Sequence, residues 1–135
     1  MSSKSDNFFF STFTKNIIDS HKSIRWVGLT EQNGIIINEE YREALKPLLT
    51  REEIYESAIN SILRQRTRTK FETKIGKLTY AFGRYENISR FIIPINKNYY
   101  LLVHMDFEEN NFDKIIMEKI IPLINQEKEK FDIKK

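Results

Sequence analysis

Residues 49–70 read LTREEIYESAINSILRQRTRTK. Thr50 followed by Glu53 three positions on has the pattern of a capping box, in which each side chain satisfies the other's backbone N–H. Leu49 before the cap and Ile54 at the fourth helical position add a hydrophobic staple. Ile54, Tyr55, Ala58, Ile59, Ile62 and Leu63 then recur at three- and four-residue spacing, with Glu52, Glu56 and Asn60 read as the opposite side. The stretch therefore predicts a helix that begins at Thr50 and packs on a sheet. It ends in the densest positive run of the chain: Arg64, Arg66, Arg68 and Lys70, followed by Lys74 and Lys77.

Working outward, Ile24–Thr30 and residues 35–38 are apolar runs joined by Glu31-Gln32-Asn33-Gly34. Asn-Gly between such runs predicts a hairpin with a type I′ turn, which needs positive φ at both central residues. Gly28 inside the first run predicts a bulge or a close approach to the backbone. Further upstream, Phe9, Phe10, Phe13, Ile17 and Ile18 share one side of a helix over residues 7–21, with Ser5 or Asp6 as its cap. Residues 39–49 read as a connector with some helical character, stopped before Pro47. Downstream of Gly76, three strands are expected, around Leu78–Phe82, Phe91–Ile95 and Tyr99–Phe107. The last is apolar on both faces, with Tyr99, Leu101, Val103 and Met105 on one and Tyr100 and Leu102 on the other, so both faces should be covered. Pro94 belongs at a strand end or beside an edge. A final helix starts at Asn110 or Asn111, with Pro122 expected to kink or end it. The expected architecture is α+β, a five-stranded antiparallel sheet with helices on both faces, in the order α-β-β-α-β-β-β-α. It forms one domain over 1–135, with its core over about 7–125 and a charged, fraying tail from 126 to 135.

The chain has 135 residues, no cysteine and a net charge of +3 from 22 basic and 19 acidic residues. Ten phenylalanines, six tyrosines and one tryptophan supply a core and exclude disorder. Without cysteine there are no disulfides, thiolate nucleophiles or thiolate metal sites, which fits a reducing cytoplasm. The N-terminal NFFFSTF lacks the length and cleavage site of a signal peptide. No stretch approaches the roughly 18 apolar residues of a membrane span. The expectation is a cytoplasmic protein without a membrane anchor.

No phosphate-binding loop, dinucleotide fingerprint, HExxH or GxSxG is present, so no catalytic residue, cofactor or metal is assigned. His104 and Asp106 share one strand face, an arrangement read as partly buried structure rather than a metal or acid–base pair. The basic run is the feature with functional colour. At about 100° per residue, Arg64 and Arg68 fall on a solvated side, while Arg66 and Lys70 continue the line of Tyr55, Ile59 and Ile62. If extended, all four would share one face. Three readings stay open for Arg64, Arg66, Arg68 and Lys70. They are a solvated or ion-paired helix end, a contact for an acidic protein partner, or a contact for nucleic-acid phosphate.

VGLTEQNGIII (27–37), LLTREEIYESAINSILRQ (48–65) and NYYLLVHMDF (98–107), taken in the order of elements above, resemble the roadblock family of dynein-light-chain-like domains and small archaeal proteins of the same build. The resemblance covers nearly the whole chain and rests on topology and pattern. It implies a non-enzymatic scaffold that forms homodimers or heterodimers, and a small GTPase among the possible partners. The basic end of the central helix departs from the family. Profilin-like, longin and PAS-type sensor domains share related sheets, and a PAS-like ligand sensor would need an enclosed apolar cavity.

Overall fold

The computed structural model describes residues 4–133, with the side chains of residues 7–132. Helix α1 (Lys4–Asp19) precedes strands β1 (Ile24–Glu31) and β2 (Ile36–Tyr41). Helix α2 (Arg51–Arg68) passes through a 3-10 turn (Thr69–Phe71) into the short helix α3 (Glu72–Ile75). Strands β3 (Ala81–Arg84), β4 (Ile88–Pro94) and β5 (Tyr99–Asp106) follow, then a C-terminal helix built from α4 (Phe112–Ile115), a π-helical turn (Ile116–Ile120) and α5 (Ile121–Ile133). The sheet is antiparallel throughout, in the order β2-β1-β5-β4-β3, so β2 and β3 are its edges. The expected α+β architecture is the observed one. Helix α1 already runs from Lys4, so Ser5 and Asp6 lie inside it and its cap lies outside the described residues.

Strand alternation divides the core into two unequal layers. On one face Phe10, Phe13, Ile17 and Ile18 of α1 and Ile115, Ile116, Ile120, Ile124 and Phe131 of the C-terminal helix cover Tyr99, Leu101, Val103 and Met105. On the other, Ile54, Ala58 and Ile62 of α2 meet Trp26, Ile92 and Leu102. β5 is thus apolar on both faces because a helical layer covers each. A register shift between Ile24 and Trp26 turns Ile24 into the first layer while Trp26 stays in the second.

Three local outcomes differ from the sequence reading. The β1–β2 hairpin forms, but its turn is a three-residue loop rather than type I′. The Gly34 N–H donates to the Glu31 carbonyl, and the Glu31 N–H to the Ile35 carbonyl. Of the loop residues only Gly34 has positive φ, at 88°, because the Asn33 side chain accepts from the Ile35 N–H and holds the preceding turn. β2 extends to Tyr41, taking in Glu39 and Glu40, which an edge strand tolerates since its outer side meets solvent. Pro122 does not end the final helix. The Ile121 N–H reaches back five residues to the Ile116 carbonyl, and this wider turn comes just where the proline lacks a donor and would crowd the carbonyl behind it. The helix runs on to Ile133, and Phe131, expected in a fraying tail, is fully buried between Phe9, Phe13 and Tyr99.

Gly28 shows the close approach rather than a bulge, since a Cβ there would lie 2.3 Å from the Trp26 ring. Gly34 meets α2 in the same way: a Cβ would lie 2.8 Å from the Ile59 Cα. The hairpin tip is thereby pressed against the middle of α2.

Arg42, just after β2, fastens the end of α1. Its Nε donates to the Ile24 carbonyl at 3.0 Å, and its terminal nitrogen donates to the carbonyls of Ile18 and His21 at 2.5 and 2.7 Å. A cation bonded to the last carbonyls of a helix satisfies acceptors that have no intrahelical partner and opposes the helix dipole. Arg42→Ala is expected to cost about 2–3 kcal/mol in urea denaturation, with Arg42→Lys recovering only part, because a single ammonium does not reproduce the fork.

Candidate functional site

The capping box at the head of α2 is formed on both sides. The Glu53 N–H donates to Thr50 Oγ1 at 3.1 Å, and the Thr50 N–H to Glu53 Oε1 at 2.8 Å. Leu49 packs on the cluster containing Ile54, as a staple requires. The helix is further tied to the sheet edge through Glu39, which accepts from Trp26 Nε1 at 3.1 Å and from the Tyr55 hydroxyl at 3.3 Å.

The apolar stripe of α2 is wider than the sheet can cover. Its buried side consists of Ile54, Ala58, Ser61, Ile62 and Gln65. Tyr55, Ile59 and Leu63 remain 37%, 43% and 50% exposed, and so does Ile35, at 53%, next to the Gly34 that meets Ile59. Counting about 100° per residue, Glu52 and Glu56 border this outward half-stripe at one end and Arg66 and Lys70 at the other. The glutamates are therefore not opposite the whole stripe, because the buried half is shifted round the helix towards Ser61. Arg66 and Lys70 continue the exposed half, not a buried line, and both are exposed.

Arg64 and Arg68 lie on the other flank. Residues 64–68 are α-helical and Lys70 is in the 3-10 turn, so the four cations do not share one face. A hollow of about 110 Å³ opens between this flank and strands β3–β4, lined by Ser61, Arg64, Arg68, Tyr85, Arg90 and His104 among others, with no carboxylate in its wall. Arg64 and Arg90 each donate to Ser61 Oγ, at 3.2 and 3.4 Å, and Arg68 donates to Gln65 Oε1 at 3.1 Å. The sequence reading did not select Arg90. Its signal was parity, since Arg90 alternates with Ile88 and Ile92 and so points to the same covered face.

At the floor of this hollow His104 packs on Trp26, ring centroids 4.7 Å apart. Burial first, then Arg90 and Arg25, push its imidazole down to about 3, so it stays neutral. Asp106 pairs with Arg25 at 2.9 Å and forms no dyad with His104. Among the described residues no three His, Asp or Glu side chains group as metal ligands, and no helix is long and apolar enough to cross a membrane. Between α2 and the sheet, Ile54, Ala58 and Ile62 pack directly on Trp26, Ile92 and Leu102, where a PAS-like ligand would need an enclosed apolar hollow.

No protein-family model and no curated protein matches this chain in sequence. Solved structures do match in shape. A roadblock/LC7 domain from Streptomyces avermitilis superposes with a TM-score of 0.70 at 8% identity, over 90% of this chain and 96% of that one. MglB of Myxococcus xanthus gives 0.67 at 13% identity over 98% of both chains. A structure described as MglB with tetrameric arrangement gives 0.70 at 8% identity over 92% of this chain and 88% of that one. At such identities the likeness speaks for the backbone alone, and the backbone is that of the roadblock fold.

Proposed function

We propose that this chain is a non-catalytic interaction domain that pairs with a second copy of itself through the outward flank of α2. The observation that carries this reading is the make-up of that flank. Tyr55, Ile59 and Leu63 form an exposed apolar strip with Glu52 and Glu56 at one end and Arg66 and Lys70 at the other. A helix of 18 residues is about 27 Å long, long enough to pack along its own copy. Packed antiparallel about a two-fold axis, the strip buries itself while the acidic end of each copy meets the basic end of the other. A parallel pairing would set like charges together. The fold adds support, since one structure of the same shape is described as having a tetrameric arrangement.

Sedimentation or light scattering at micromolar concentration tests this. Wild type is expected to be dimeric, and Ile59→Asp monomeric with its circular dichroism unchanged. The double charge reversal Glu52→Lys/Glu56→Lys is expected to weaken association at least tenfold, and adding Arg66→Glu/Lys70→Glu to restore it. A wild-type monomer at several hundred micromolar would overturn the reading, as would a failure of the compensating reversal.

A further inference from the structure

We propose that the hollow on the opposite flank of α2 is a binding site for a single phosphoryl group, with Arg64, Arg68 and Arg90 as its cationic wall. It stands apart from self-association, which uses the other flank. Three guanidiniums border one hollow of about 110 Å³, and no Asp or Glu joins them. Among the described residues, none of the three has a carboxylate partner, whereas Arg25 and two lysines do.

What the arginines do find is poor in acceptors. Two of them crowd one hydroxyl, Ser61 Oγ, and the third uses the amide oxygen of Gln65. Arg90 Nε is buried with no acceptor, and so is Gln65 Nε2 on the adjacent turn of α2. A guanidinium keeps its charge at any working pH, so Arg90 is a partly buried cation with an unused Nε–H donor. Neutral His104 beneath it supplies no counter-charge. A tetrahedral oxyanion offers several acceptor oxygens and negative charge together, which is what this wall lacks.

Size narrows the ligand further. At about 110 Å³ and open to solvent, the hollow takes one phosphoryl group rather than a whole nucleotide. Any remainder of the ligand must lie outside, where the exposed Tyr85 ring folds over Gly83 and carries the Arg90 guanidinium 5.9 Å from its centroid. The source is then either inorganic phosphate or a small phosphomonoester.

Thermal unfolding is measured with sodium phosphate, phenyl phosphate and dimethyl phosphate against sodium chloride at matched ionic strength. Phosphate or phenyl phosphate at about tenfold excess over its Kd is expected to raise Tm by about 5 °C. The exposed double variant Arg64→Ala/Arg68→Ala should lose that rise while keeping its own Tm in chloride near the wild-type value. The Arg90 Nε–H resonance should shift on phosphate addition in wild type and stay still in the double variant. Tighter binding of phenyl phosphate would assign an ester laid against Tyr85, and equal binding would assign the free ion, both upholding the site. An equal rise in wild type and double variant would mark a general salt effect and overturn the proposal. Dimethyl phosphate binding as well as the monoester would overturn it in favour of a nucleic-acid backbone.

Discussion

Phe131→Ala is expected to lower the free energy of unfolding by about 3–5 kcal/mol, the largest effect of any single substitution considered for this chain. Phe131 is wholly buried, and its ring lies 4.9 Å from those of Phe9 and Phe13 and 5.3 Å from that of Tyr99. It joins the last turns of the C-terminal helix to α1 and to the first residue of β5. Truncation to alanine leaves a cavity among aromatic rings that cannot all close on it. Urea or guanidinium denaturation reads the loss directly as a lower midpoint. Lys128→Ala and Glu129→Ala, both exposed on the same helix, should each change stability by less than about 0.5 kcal/mol. A Phe131→Ala midpoint within error of wild type would mean that the terminal turns do not belong to the cooperative core.

The second large effect is on pH dependence. His104 titrates near 6.5 in an unfolded chain and is pushed down to about 3 in the folded one. Above about pH 6.5 the imidazole is neutral in both states and favours neither. As pH falls below that, the unfolded chain takes up a proton that the folded chain refuses, so stability declines by up to about 1.4 kcal/mol per pH unit. The decline continues until the folded-state value is reached. Between about pH 6 and pH 4 this amounts to roughly 2–3 kcal/mol. In His104→Leu, similar in volume and without a titrating group, the slope in this window should largely vanish. Equal slopes in the two proteins would place the proton uptake elsewhere.

What the sequence disclosed follows from how local each signal is. The start of α2 was legible because Thr50, Glu53, Leu49 and Ile54 interact within one turn, and the two-sided β5 was legible because alternation needs no partner to be read. The width of the α2 stripe was legible, but its division was not. Which half meets the sheet depends on where Trp26, Ile92 and Leu102 stand, and those residues are far away in the chain. For the same reason Arg64 and Arg68, exposed as a solvated face is, gave no sign that they border a hollow with Arg90, and Arg66 and Lys70 read as buried-line charges although they are exposed. Phe131 was obscured because a single aromatic within QEKEKFDIKK creates no period, and only the α1 phenylalanines give it a place.

The inequality of the two layers has a dynamic consequence. Among the described residues nineteen buried apolar side chains make up the α1 and C-terminal side of the sheet, and six the α2 side. Free energies of local opening follow such packing, so the two faces of β5 belong to regions of different cooperativity. Amide protons along α2 then exchange through partial openings that leave the opposite layer intact. A molecule docked on either flank of α2 would slow that exchange, tightening this helix with no change in its shape.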